Sequence, residues 1–363
     1  MHVRVKKDIL KEKLKKVTKF CENGIQEQGL LKADFEKFQI FSRDSQTFII
    51  VPVNAEIKKD GFVYLDGKRL LSIIKELRYD DLEIFVENDK LFLKGDKGKS
   101  KINVELSIKS TEAIVSEFPE INDFDLVEIE SAVISDIFRK TKDIPDIEDP
   151  RIVFGGIFLE FKNDLLVGVA TDGKKMVIVQ KFVNDFLKGN KVIVPIEFVK
   201  TVLKDLEKTN SLRVGFKEDM LYFIIDEYIA ITKLIKGKFP DYEAVIPKAY
   251  SYGFQVNRDD LTSVIRESLS ISEKYIIFSI KQDTIDIIAE TSDVGKLVDI
   301  IDIEPIGQIK EEKICLNGEY LLDILGGIDS EKVNIFYISP EAPIKILIPD
   351  DNHYLSLLMP IKI

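Results

Sequence analysis

The 363-residue chain contains only two histidines, His2 and His353, one near each end. Nucleophilic catalysis of the Ser-His-Asp or Cys-His kind needs an imidazole beside the nucleophile, and neither histidine is placed for it. GDKGKS at Gly95–Ser100 ends like a phosphate-binding loop. However, only two residues separate Gly95 from Gly98 where that loop needs four, and the flanks read as a hairpin. Asp146, Glu148 and Asp149 form one acidic group, and Asp350 with Asp351 another. Both offer oxygen ligands for Mg²⁺, although loop carboxylates are more often solvated turns. A metal-dependent hydrolase built on them is the enzyme alternative, and calorimetric titration with metal is its test. Cys21 and Cys315 make no ligand pair and suit a reducing cytoplasm, so no structural disulfide is expected. The expectation is a protein that is not an enzyme, with no catalytic residue, no cofactor and no metal.

Cations at helical spacing are the more informative chemistry. Lys11, Lys15 and Lys19 fall at i, i+4 and i+8 beside an apolar face. Lys200, Lys204 and Lys208 repeat that spacing after Pro195. Lys68, Lys75 and Arg78 accompany the segment Val63–Leu77, while Arg139, Lys140 and Lys142 cluster at the end of another helical pattern. Arg258 and Arg266 belong to a fifth; the sixth, Asn317–Ile328, carries Glu319 and Asp323 and no base. These side chains either solubilise exposed helix faces or form a shared basic surface that attracts phosphates without reading sequence. The net charge of −11 does not decide, because binding depends on where charges sit. Recurrence in equivalent elements favours the basic surface.

Those elements repeat three times at a spacing of about 120 residues. One helix of each copy lies in VYLDGKRLLSIIKEL (Val63–Leu77), VIVPIEFVKTVLKDL (Val192–Leu206) and ICLNGEYLLDILGGI (Ile314–Ile328), each followed by an alternating strand pair. The other lies in Asp8–Cys21, Ser131–Lys142 and Arg258–Ser270, where apolar residues such as Leu10, Leu14, Val17 and Cys21 keep helical spacing. Strands rich in Ile, Phe and Val follow, with turns at Asn163-Asp164 and Asp172-Gly173. The fold class expected is α+β, in three repeated domains with two helices each packed on antiparallel sheets. The turn-rich stretches Ser116–Phe124 and Gly237–Ser251 share a Phe-Pro pair and mark equivalent joints, giving domains 1–122, 123–248 and 249–363 packed rigidly in a row. No run is apolar enough to span a bilayer and MHVRVKKDIL lacks a signal-peptide core, so the cytoplasm is the expected location.

Four motifs then resemble a known family. ATDGKKM (Ala170–Met176), KFPDYEAVIP (Lys238–Pro247), LNGEYLLDIL (Leu316–Leu325) and LLMPIKI (Leu357–Ile363) are similar, in order and over the whole chain, to patterns of the bacterial DNA polymerase III beta subunits, the sliding clamps. The resemblance implies a head-to-tail homodimeric ring around duplex DNA, with helices lining the hole and sheets outside. The stripes, Lys11, Lys15, Lys19, Lys68, Lys75, Arg78, Arg139, Lys200, Lys204, Lys208, Arg258 and Arg266, would face DNA without reading its sequence. Ile102 and Val104 of one subunit would meet Leu269 and Ile271 of the other. A pocket would take short linear motifs of the replicative polymerase, the clamp loader and repair proteins. Matched positions give its wall as Phe154, Thr171, Gly173, Lys174, Lys175, Met176, Pro240 and Val245. Tyr275, Asn317 and Tyr320 would join it, with the tail residues Leu358, Met359, Pro360, Ile361 and Lys362. Asn317 and Lys175 would hold polar groups of the peptide. LLMPIKI also reads as an edge strand closing a sheet, and both roles are compatible.

The chain departs from the family pattern at several places. Lys174-Lys175 replaces the common His-Arg pair, which keeps charge but loses the planar fork. Ala244 stands where arginine is frequent, DIPDIEDP before Arg151 is acidic, and ENGIQEQG lacks an arginine expected near the hole. These changes imply weakened or redistributed DNA contact. The alternative they motivate is a clamp-like interaction scaffold that keeps the pocket but encircles DNA poorly.

Overall fold

Each helix is launched directly from a strand. Val63, Tyr64 and Leu65 are all buried, as a strand enclosed on both faces requires, and Asp66 then accepts a hydrogen bond from Arg69 N at 2.9 Å. The helix therefore begins at Gly67, so the segments read as one helix over Val63–Leu77, Val192–Leu206 and Ile314–Ile328 are each a strand followed by a helix. The computed structural model describes residues 1–19, 29–34, 37–43, 46–97, 100–107, 126–162, 164–183 and 189–362. Cys21, Asn163, residues 22–28 of ENGIQEQG, the joint at Ser116–Phe124 and the side chain of Lys19 lie outside the described residues. The helices are α1 (Lys7–Lys19), α2 (Gly67–Glu76), α3 (Ser131–Thr141), α4 (Ile196–Leu206), α5 (Arg258–Leu269) and α6 (Gly318–Gly326). Asn257 caps α5 through Asp259 N and Asp260 N, and Asn317 caps α6 through Tyr320 N. Lys208 lies beyond the end of α4, because Glu207 is its C-cap.

All ladders described are antiparallel, and the chain divides into two compact units. Unit 1 comprises residues 1–130 and 208–233. It holds a five-stranded sheet ordered Ala55–Lys59, His2–Lys6, Asp81–Glu87, Lys90–Lys97, Ser100–Ser107. Its eight-stranded sheet runs from Val127–Glu130 through three strands of residues 211–233 to Thr47–Val53, then on to Gly61–Leu65. Leu10, Leu14 and Val17 of α1 and Leu70, Leu71 and Ile74 of α2 are buried in this unit. Gly95 of GDKGKS lies on the strand Lys90–Lys97 and leaves room for the Tyr79 ring: a Cβ there would sit 2.5 Å from Tyr79 Cγ.

Unit 2 comprises residues 131–207 and 234–363. Its nine-stranded sheet joins Lys175–Phe182 to Asp351–Leu358, and its four-stranded sheet is ordered Gly295–Asp302, Thr284–Thr291, Tyr275–Ile280, Glu312–Asn317. Phe158, Val169, Met176, Phe239 and Leu357 share one core cluster, in which the Phe158 and Phe239 rings stack at 4.7 Å and 6°. Gly168 lets α3 approach the sheet, since a Cβ there would lie 2.2 Å from Cγ2 of the fully buried Ile137. Gly168→Ala is expected to destabilise unit 2 by about 1–3 kcal/mol through overpacking, measured by thermal unfolding. An unchanged midpoint would mean that α3 shifts freely on the sheet.

Charge also fixes unit 2. The Asp136 carboxylate receives Arg139 at 2.5 Å, Lys140 at 3.0 Å and Lys181 at 2.5 Å. Arg139 continues to Asp329 at 2.6 Å and to the Gly327 carbonyl at the end of α6. The Lys140 side chain is only 8% exposed. Burial pushes the Asp136 carboxyl up, but hydrogen bonds from Lys181 and Lys140 outweigh it and hold the group below its ordinary range.

Candidate functional site

Unit 2 carries an apolar groove of about 170 Å³. One wall is the turn between two strands of the nine-stranded sheet. Asp172 Oδ1 accepts from Lys174 N and Lys175 N at 2.8 Å each, Thr171 Oγ1 donates to the Lys175 carbonyl, and Gly173 takes φ +84°. These short-range bonds are why TDGK folds into a rigid loop. A second wall is Phe154, on which the Arg151 guanidinium stacks at 4.2 Å. Arg151 grips Asp149 with two bonds of 2.9 and 2.8 Å, and this pairing holds the Asp149 carboxyl down to about 2.

The third wall is the segment after Lys238. Phe239 and Tyr242 are buried, which leaves Pro240, Asp241 and Val245 on the rim. Tyr242 Oη donates to Glu160 at 3.0 Å and accepts from Lys162 at 3.2 Å; burial and the Glu160 bond push its phenol up to about 12. The floor is closed by the C-terminal strand, in which Leu357 pairs with Met176 across the sheet. Met359 N then donates to the Lys174 carbonyl at 2.8 Å, and Ile361 N to the Cys315 carbonyl at 2.8 Å.

Nine of the expected pocket residues line this groove: Phe154, Thr171, Gly173, Lys174, Lys175, Met176, Pro240, Val245 and Met359. Leu358 does not, because strand alternation turns it to the opposite face, fully buried, and puts Leu357 on the groove. Asp241, Tyr242 and Pro343 also line it and were missed by motif matching. Tyr320 stands beside the groove, where its hydroxyl accepts from Lys174 at 3.2 Å, and Tyr275 is exposed on a strand paired with Asn317. Pro360, Ile361 and Lys362 follow Met359 outside the lining, and Lys362 sits 3.8 Å from Glu341. The polar roles expected of Lys175 and Asn317 are already taken. Lys175, 6% exposed, is bonded to Asp323 and to the Asp143 carbonyl, and Asn317 is spent on capping α6. The groove can therefore bury apolar or aromatic side chains of an extended segment, with Met176 and Met359 adapting to shape.

The other expected sites are placed as follows. Ile102 and Val104 are half-buried on Ser100–Ser107, the edge strand of the five-stranded sheet. Leu269 and Ile271 are half-buried at the end of α5. The edge strand Gly295–Asp302 of the four-stranded sheet carries exposed Val298 and Ile300, which motif matching did not single out. Lys15, Lys75, Arg78, Lys200, Lys204, Lys208 and Arg266 are exposed, while Lys68 is half-buried and Lys11 is half-buried against Asp8 at 3.1 Å. Arg139 and Arg258 depart from the picture of free helix-face cations: the first bridges Asp136 and Asp329, the second binds the Ile328 carbonyl and Asp259. The acids Asp146, Glu148 and Asp149 form a turn, in which Asp146 Oδ1 accepts from Glu148 N at 2.9 Å. Asp350 takes φ +61° in a hairpin and Asp351 accepts from His353 N. Among the described residues no group of three His, Cys, Asp or Glu is arranged to hold a metal, and no helix is long and apolar enough to cross a membrane. Cys315 is buried, which pushes its thiol up.

Family profiles for the N-terminal, central and C-terminal domains of the DNA polymerase III beta subunit match residues 1–122, 128–241 and 243–362. A beta sliding clamp of Halalkalibacterium halodurans is 23% identical over 388 residues, covering 100% of both chains. One of Buchnera aphidicola is 24% identical, covering 99% of this chain and 100% of the relative. The crystal structure of the DNA polymerase III subunit beta from Pseudomonas aeruginosa has the same fold, with a TM-score of 0.90, 22% identity and 100% coverage of each chain.

Proposed function

The chain belongs to the DNA polymerase III beta subunit family, and from that premise we propose that it is a DNA sliding clamp, a processivity factor of the replicative polymerase. It is not an enzyme; its work is topological and adhesive. Its clamp domains run 1–122, 123–248 and 249–363, and two cytoplasmic subunits close head to tail around duplex DNA. The groove carries the tethering role: apolar, open at Val245 and Met359, and walled by a rigid turn, it fits short linear motifs of polymerase, clamp loader and repair proteins. Its edge strands support ring closure. Ser100–Ser107, with Ile102 and Val104, and Gly295–Asp302, near Leu269 and Ile271, offer unpaired backbone and apolar side chains of the kind that strand addition joins.

DNA contact then rests on the exposed cations, above all Lys15, Lys75, Arg78, Lys200, Lys204, Lys208 and Arg266. Weak phosphate contacts of this type suit sliding and fall with salt. Loaded protein is expected to remain on circular duplex and run off linear duplex; equal retention on both would refute encirclement. Fluorescence anisotropy with a labelled pentapeptide of the Gln-Leu-Ser-Leu-Phe type tests the groove. The intact chain should bind saturably, and a chain ending at Leu358, which keeps the buried strand but removes Met359, should bind roughly tenfold more weakly or worse. The internal engagement of Arg139 and Arg258 favours one second reading, a scaffold with poor encirclement. Normal peptide binding with no retention on circular DNA at any salt concentration would select it.

A further inference from the structure

Ile147 and Ile152 are each 65% exposed. Single exposed aliphatics are ordinary, but this pair is built onto the groove wall. Asp146 N donates to the Phe154 carbonyl at 2.9 Å, Phe154 N donates to the Arg151 carbonyl at 2.9 Å, and a Cβ on Gly155 would lie 3.8 Å from Ile147 Cα. The Phe154 wall of the groove thus adjoins a loop held in place by backbone bonds.

That loop also carries unbalanced charge. Asp149 is neutralised by Arg151 and Asp143 lies against Lys142. Among the described residues no cation forms a salt bridge with Asp146, with Glu148, or with Asp241 on the groove rim, although Asp146 and Asp172 act on Lys174 through space. Of the two lysines in the lining, Lys175 is bound to Asp323, which leaves Lys174, itself bonded to Tyr320. A surface of exposed isoleucines among a surplus of carboxylates repels phosphate backbones and complements a segment that alternates cationic and apolar side chains.

We infer that the loop Asp143–Ile152 is the outer half of the tethering groove, and that it takes a basic, aliphatic flank of the partner segment whose apolar residues enter the groove. The inference rests on the tethering reading of the groove. Its selectivity is electrostatic: basic flanks gain, acidic flanks lose, and DNA is not bound there.

Three labelled peptides test it, sharing the Gln-Leu-Ser-Leu-Phe core and extended at both ends by Lys-Ile-Lys, Ser-Ile-Ser or Glu-Ile-Glu. At 50 mM NaCl the basic peptide is expected to bind the intact protein roughly 3- to 10-fold more tightly than the neutral one, the yield of a few exposed ion pairs. At 300 mM NaCl that gain should largely vanish. A double variant, Asp146→Asn with Glu148→Gln, should lose the gain while binding the bare core unchanged. Ile147→Ser should weaken all extended peptides and leave the core alone. Equal binding of the three peptides, or a basic gain that survives the double variant, would overturn the inference while leaving the groove intact. Failure of the bare core to bind would instead sink the tethering reading, and the inference with it.

Discussion

Asp136→Ala is expected to lower the thermal unfolding midpoint of the protein by about 6–20 °C. The carboxylate joins Arg139, Lys140 and Lys181, and Lys140 is 8% exposed. Removing it leaves the buried Lys140 ammonium with only Asp351, at 3.9 Å, as a counter-charge; losing the close partner of a buried charge costs about 3–5 kcal/mol, and each kcal/mol moves the midpoint of a unit this size by about 2–4 °C. Arg139 would also lose the bond that orients it toward Asp329 and the end of α6. The pH dependence has a definite sign. Because the folded carboxyl is held below its ordinary value of about 3.9, its stabilisation is complete above that pH and disappears as pH falls through the lowered value. The midpoints of the parent and the variant should therefore differ by a constant amount from about pH 5 to 8 and converge in stronger acid. A difference that persists at low pH would assign the loss to packing rather than to charge.

Phe239→Ala is expected to remove about 3–5 kcal/mol of stability and to weaken pentapeptide binding roughly tenfold or more. The ring is buried and stacked flat on Phe158, one residue before the rim position Pro240. Its loss opens a cavity under the groove and frees Pro240, Asp241 and Val245 from their anchor. Calorimetry and anisotropy on the same sample separate the two effects. A lowered midpoint with unchanged affinity would mean that the Tyr242–Glu160 bond alone positions the rim.

How much of this was legible beforehand depended on sequence distance. Helical spacing of Leu10, Leu14 and Val17 placed α1. The strands entering three of the helices were absorbed into them, because short apolar runs suit either period. In the groove, the turn residues 171–176 were readable because their bonds span two to four positions. Leu357 was confused with Leu358 because a motif aligns residues without giving strand parity. Pro343 and Tyr242 reach the groove only through long-range packing. The same applies to Arg139, whose partner Asp329 lies 190 residues away, and Arg258, whose acceptor Ile328 lies 70 residues away. Charge spacing on one helix cannot reveal such partners.

The eight-stranded sheet has a consequence for the order in which the molecule can be made. Its strand Thr47–Val53 is completed on one side only by Tyr228–Lys233. During synthesis, a ribosome that has finished the first repeat releases an edge bearing Phe48, Ile49 and Ile50 with nothing to cover it. That edge waits for about 110 further residues to emerge, roughly five to twenty seconds at ordinary bacterial elongation rates. The first repeat therefore carries an unpaired apolar edge, prone to association, until the second repeat arrives. A fragment cut at the repeat boundary should therefore aggregate more readily than the whole chain, because strand pairing and not the period of the sequence sets the smallest self-sufficient piece.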